Sequence, residues 1–120
     1  MASILAVDDS ATMRQMINFT LSDAGHVVTD AANFDEAMAH IAVSSFDLVI
    51  SDVNMPGKNG IELAKALRAR PELRFVPILM ITTERREEMK AAGRAAGVTS
   101  WIVKPFDPVA LLETIEKILK

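Results

Sequence analysis

Three short runs made only of apolar side chains, residues 4–7, 48–50 and 78–81, limit what this chain can fold into more than any other feature. A strand that is apolar on both of its alternating faces has to be covered on both sides, as the central strands of a parallel sheet are. Between the runs the period lengthens. After the first, Met13, Met16, Ile17, Thr20 and Leu21 fall on one side of a helix that stops at Gly25. Residues 27–29 read as a second strand, and Asn33 with Glu36 three positions later predicts a capping box for a helix carrying Ala37, Met38 and Ile41. A third strand over 46–50, a loop over 55–60 and a helix over 61–69 follow. The fourth strand starts after Pro77, and its helix spans 85–96 with Gly97 placed to cap it. Residues 101–103 form the fifth strand. Asp107 as N-cap and Pro108 as first helical residue then open a helix with Val109, Leu112, Ile115 and Leu119 on its inner face.

Five strands, each followed by a helix, predict an α/β fold: a doubly wound five-stranded parallel sheet with five helices, of the flavodoxin-like kind. At 120 residues, half of them hydrophobic, the chain is expected to be one domain over residues 1–120. A formal charge of −3 with acids and bases interspersed offers no basic stripe for nucleic acid. With no cysteine there is neither a disulfide framework nor a thiolate metal site. No apolar stretch approaches a membrane span, and the N-terminus lacks a basic segment leading into a long apolar one, so a cytoplasmic monomer is expected.

Ligands of such sheets bind beyond the carboxyl ends of the strands. Asp8 and Asp9 follow the first apolar run, Asp52 the third strand, Thr82 the fourth and Lys104 the fifth. Two unit charges about 4 Å apart at a protein surface repel by roughly 4 kcal/mol, so three converging carboxylates imply a cation among them. Taken singly, each residue has a plainer reading. Asp8 or Asp9 would serve as a helix N-cap, Lys104 as a surface lysine and Thr82 as a strand-end hydroxyl. Their joint placement at the strand ends favours a site. Arg85, Arg86 and Lys90 read as a solvated helix face or part of a partner surface, and His26 and His40 have no partners in the local pattern.

From the Asp8-Asp9 pair through Asp52 and Thr82 to Lys104-Pro105-Phe106, the whole chain resembles the receiver domain of bacterial response regulators. Within that family, the segments 7–14 and 51–56 are most similar to the chemotaxis members. The resemblance implies that Asp52 is phosphorylated by a sensor histidine kinase or a small phosphodonor. It also implies Mg²⁺ held by Asp9, Asp52 and the backbone carbonyl of Asn54, with Asp8 reached through a water. Lys104 and Thr82 would each take a phosphoryl oxygen, and the Lys104-Pro105 bond would be cis. The readout would be Trp101, turning inward as Thr82 is drawn to the phosphoryl group. Two departures bear on it: the family commonly has tyrosine, phenylalanine or histidine where Trp101 stands, and a smaller residue where Thr83 stands.

The implied function is a stand-alone phosphoacceptor signalling domain of a two-component system, not an enzyme, although it assists its own phosphorylation and dephosphorylation. Its partners would be the kinase, a phosphatase and a target such as the flagellar motor switch protein. A phosphorelay intermediate, a phosphate sink or the receiver half of a larger regulator are alternatives within the class. Outside it, an aspartyl-phosphate hydrolase of the haloacid dehalogenase type needs a second Asp two residues after its nucleophile on the first strand, which Asp8-Asp9-Ser10 lacks. A flavin- or nucleotide-binding domain ranks last, because no glycine-rich loop follows the first strand.

Overall fold

A computed structural model describes residues 1–120. The elements in chain order are β1 (Ser3–Val7), α1 (Ala11–Asp23), β2 (Val27–Ala31), α2 (Phe34–Val43), β3 (Leu48–Ser51), α3 (Gly60–Arg68), β4 (Ile78–Thr82), α4 (Glu87–Ala95), β5 (Ser100–Val103) and α5 (Pro108–Leu119). A short 3₁₀ turn, Pro71–Leu73, precedes β4. All strand pairs are parallel, in the order β2-β1-β3-β4-β5. This is the expected doubly wound sheet, with β5 at an edge.

The alternation along each central strand divides the core in two. Leu5, Val7, Val49, Ile78 and Met80 face one layer together with Ala37, Leu63 and Leu67 of α2 and α3. Ile4, Ala6, Leu48, Ile50, Leu79 and Ile81 face the other, against Ile17 and Leu21 of α1 and Leu111 and Ile115 of α5. Burying each of the larger aliphatic side chains contributes about 1.5–3 kcal/mol, which holds these strands and their register in place.

Register sets the site. Val7 pairs with Ser51, so Asp8 and Asp52 each lie one residue beyond the last rung of neighbouring strands. Thr82 pairs with Val103, and the Lys104 N–H donates to the Thr82 carbonyl at 2.8 Å, so the lysine leaves β5 at the same edge.

Local boundaries differ from expectation at several elements, and before α4 the cause is a side chain that takes backbone groups. Strand β2 runs on to Ala31, and β3 begins at Leu48 instead of 46. The helix expected from 85 starts at Glu87, because the Glu84 carboxylate accepts the N–H groups of Arg85 and Arg86 at 3.1 and 3.2 Å and holds them in the loop. At α2, Asn33 accepts the Glu36 N–H, but the Glu36 carboxylate accepts from Ala32 instead of closing a box. The reciprocal box is at α3, where Asn59 and Glu62 each accept the other's backbone N–H at 2.9 Å. Gly97 ends α4 in a left-handed conformation, φ 95°, as its placement predicted.

Candidate functional site

The site is built from the ends of β1, β3, β4 and β5. Asp8 is 1% exposed and its two oxygens are both engaged: Oδ1 accepts the Ser10 N–H at 2.9 Å and Oδ2 accepts Lys104 Nζ at 2.8 Å. Asp52 is 7% exposed, with Oδ1 accepting the Asn54 N–H at 3.1 Å and Oδ2 accepting Lys104 Nζ at 2.9 Å. Lys104 thus stands between two buried carboxylates, and the Lys104-Pro105 bond that follows it is cis. Burial is the largest single influence on its ammonium and acts to lower the pKa. The hydrogen bonds and charges of Asp8 and Asp52 outweigh it and hold the pKa above its ordinary value of 10.5.

Asp9 is exposed, and its carboxylate accepts no hydrogen bond within the protein. An oxygen of Asp8, one of Asp9 and one of Asp52 all lie within 4.8 Å of one another. Opposite ligands of an octahedral Mg²⁺ stand about 4.2 Å apart, twice the metal–oxygen distance, so the spacing and the hard oxygen donors fit such an ion. The plainer reading of Asp8 and Asp9 as helix caps does not hold, since Ser10 caps α1 by accepting the Met13 N–H at 3.2 Å.

Thr82 is fully buried, and its Oγ1 accepts the Glu84 N–H at 3.2 Å. That bond uses a lone pair and leaves the hydroxyl proton to be donated elsewhere. Trp101 is half-buried, and its indole N–H donates to the Glu84 carbonyl at 3.0 Å. Asn54 and Thr83 are both exposed beside the acids and the β4 end. The side-chain hydrogen bond from Arg86, helped by the backbone N–H groups, holds the Glu84 carboxyl down from its ordinary 4.5 to about 2.

Three residues that support the site were not legible as such. Arg14 donates to the Asp8 carbonyl at 2.6 Å, and the Ser51 hydroxyl donates to the Asp52 carbonyl at 2.8 Å. Gly60 packs on the backbone of Asp52 so closely that a Cβ there would meet the Asp52 carbonyl oxygen at 2.1 Å. In the sequence Gly60 reads as loop punctuation; the Asn59-Gly60-Ile61-Glu62 capping pattern was the signal that it opens a helix.

A parallel doubly wound domain with an acid cluster, a strand-end threonine and a lysine at one sheet edge is a signalling receiver in construction. The chain belongs to the response regulator receiver domain family, which it matches over residues 4–116. It is 42% identical over 118 residues to chemotaxis protein CheY-3 of Vibrio cholerae, covering 98% of this chain and 91% of that one. Identity to the chemotaxis protein CheY of Pseudomonas aeruginosa is 40% over 118 residues, covering 98% and 95%. The structure of the Vibrio cholerae chemotaxis protein CheY4 superposes with a TM-score of 0.95 at 50% identity, covering 99% of both chains.

Proposed function

We propose that the chain is a chemotaxis-type response regulator whose Asp52 carboxylate accepts a phosphoryl group from the phosphohistidine of a sensor kinase, with Mg²⁺ at Asp8, Asp9 and Asp52. The observation that carries this reading is the single ammonium of Lys104 shared between Asp52 and Asp8 at 2.9 and 2.8 Å, beside an uncommitted Asp9. An Asp52 oxygen forms a bond to phosphorus as the phosphorus–nitrogen bond of the donor breaks and the electron pair returns to the imidazole. Asp52 needs no base to attack, since a carboxylate carries no proton to lose. It is a weak nucleophile, so the reaction depends on position and on charge around the phosphoryl oxygens.

Position comes from the Asn54 N–H and Lys104 on the two Asp52 oxygens. Asp9, Asp52 and the Asn54 carbonyl would hold Mg²⁺, with Asp8 reached through water, and the ion would supply positive charge to the phosphoryl oxygens. Lys104 neutralises a second phosphoryl oxygen as a point charge. Thr82 turns its free proton to a third, a hydrogen bond to a charged group contributing about 1.5–3 kcal/mol. Moving a two-state switch from 1:99 to 99:1 takes about 5.5 kcal/mol, and the Thr82 and Lys104 contacts together are of that order.

Thr82 holds the N–H of Glu84 and Trp101 holds its carbonyl, so a shift of Thr82 reaches Trp101 through one residue. The surface of α4, β5 and α5 then presents the change to a target such as the flagellar motor switch, and a phosphatase resets it. Acetyl phosphate with Mg²⁺ should label the wild type and leave Asp52→Asn unlabelled. Equal label in both proteins would remove Asp52 from the mechanism.

A further inference from the structure

Trp101 lies against α4 at Gly93. A Cβ placed on Gly93 would stand 2.8 Å from Cζ3 and 3.3 Å from Cε3 of the indole. Carbon atoms rest about 3.5–4.0 Å apart at their optimum, so no side chain larger than hydrogen fits at 93 while the ring keeps this position. Glycine within a helix is less favourable than alanine, and here the missing methyl is filled by the ring. The opposite edge of the indole is held by its N–H on the Glu84 carbonyl at 3.0 Å. The ring is therefore fixed at two points, on α4 and on the loop after β4. Neither contact is made to Asp52, Thr82 or Lys104.

We propose that Gly93 is the positioning residue of the switch: its bare backbone forms the seat of Trp101, so the indole is docked on α4 before phosphorylation and follows Thr82 through the Glu84 peptide instead of swinging in from solvent. This bears on the bulk of an indole at a position where smaller rings are common in the family. Space is made on the helix, not at the threonine. The transmission step rests on the phosphorylation reading above, while the seat itself does not.

The test uses the full chain with Gly93→Ala, in the resting state. Far-UV circular dichroism should be retained. Trp101 emission should shift to the red, its acrylamide quenching constant should rise about twofold and the Tm should fall, since overpacking expels the ring. In a Trp101→Val background the same Gly93→Ala substitution should raise the Tm, because only helix propensity remains. Mg²⁺ with beryllium fluoride should shift wild-type emission less than Gly93→Ala does.

Unchanged emission and quenching in Gly93→Ala, or a raised Tm in both backgrounds, would overturn the seat. A beryllium fluoride shift larger than that of the substitution would overturn docking before phosphorylation. Labelling of Asp52 by acetyl phosphate, run on the same samples, separates the two readings: an unlabelled wild type defeats the phosphorylation reading and leaves the seat to be judged by the resting spectra.

Discussion

Lys104 Nζ donates to Asp52 Oδ2 at 2.9 Å, joining residues that stand 52 positions apart in the chain. The same ammonium holds Asp8, so one positive charge spans the mouth between β1, β3 and β5. Both carboxylates are buried, which makes the lysine their structural counterion, quite apart from the phosphoryl contact proposed for it above.

Replacing that lysine should cost stability. Lys104→Met leaves two buried carboxylates facing each other, and loss of one partner from a buried ion cluster costs about 3–5 kcal/mol. Because the folded pKa of Lys104 lies above 10.5, its contribution is present in full below that value and is lost as pH rises through the folded pKa. Denaturant unfolding across the alkaline range should show this fall in the wild type and none of it in Lys104→Met. Parallel alkaline limbs in the two proteins would contradict the assignment.

Asp8 and Asp9 should separate stability from metal affinity. Asp8→Ala strands the Ser10 N–H and removes one of the two partners of Lys104, a loss of about 1–3 kcal/mol, while Mg²⁺ affinity falls less than in Asp9→Ala. Asp9 makes no hydrogen bond, so Asp9→Ala removes a repelling charge and should leave the Tm unchanged or raised. Titration calorimetry and thermal melts on both variants decide this. Equal affinity losses would mean that the two acids hold the ion alike.

Gly60 should matter to the site beyond its place in a helix. With only 2.1 Å between a Cβ and the Asp52 carbonyl oxygen, Gly60→Ala must push the β3 end or the first turn of α3 aside. The Asn54 N–H that fixes Asp52 Oδ1 lies in the intervening loop. We expect Mg²⁺ affinity to drop about tenfold, equivalent to 1.4 kcal/mol, beyond any loss of Tm. Leu63→Ala, a core deletion on the same helix costing about 2–5 kcal/mol, should lower the Tm while leaving Mg²⁺ affinity in place. If Leu63→Ala weakens Mg²⁺ as much as Gly60→Ala, the effect of Gly60 is general loosening.

The sheet and its order of elements were legible because a strand covered on both faces needs an unbroken apolar run, as in Leu48-Val49-Ile50 and Ile78-Leu79-Met80-Ile81. Asp8, Asp9, Asp52, Thr82 and Lys104 were legible as a set, since parallel strands bring all their carboxyl ends to one edge. Element ends were less so. Where Glu84 captures two backbone N–H groups, propensity over 85–96 says nothing about the delay of α4 to Glu87.

Period and position along each strand were therefore enough to read the class of fold, the sheet edge that gathers Asp8, Asp9, Asp52, Thr82 and Lys104, and the residue types assembled there. It takes the packed fold to make Lys104 divide its protons between Asp8 and Asp52, to leave Asp9 the free acid, to bar a side chain at Gly60 against Asp52, and to set the ring of Trp101 on Gly93. Each of those contacts joins different elements across the sheet or between layers. They depend on strand order, register and the packing of helices on the sheet, which non-local burial sets and no local pattern records.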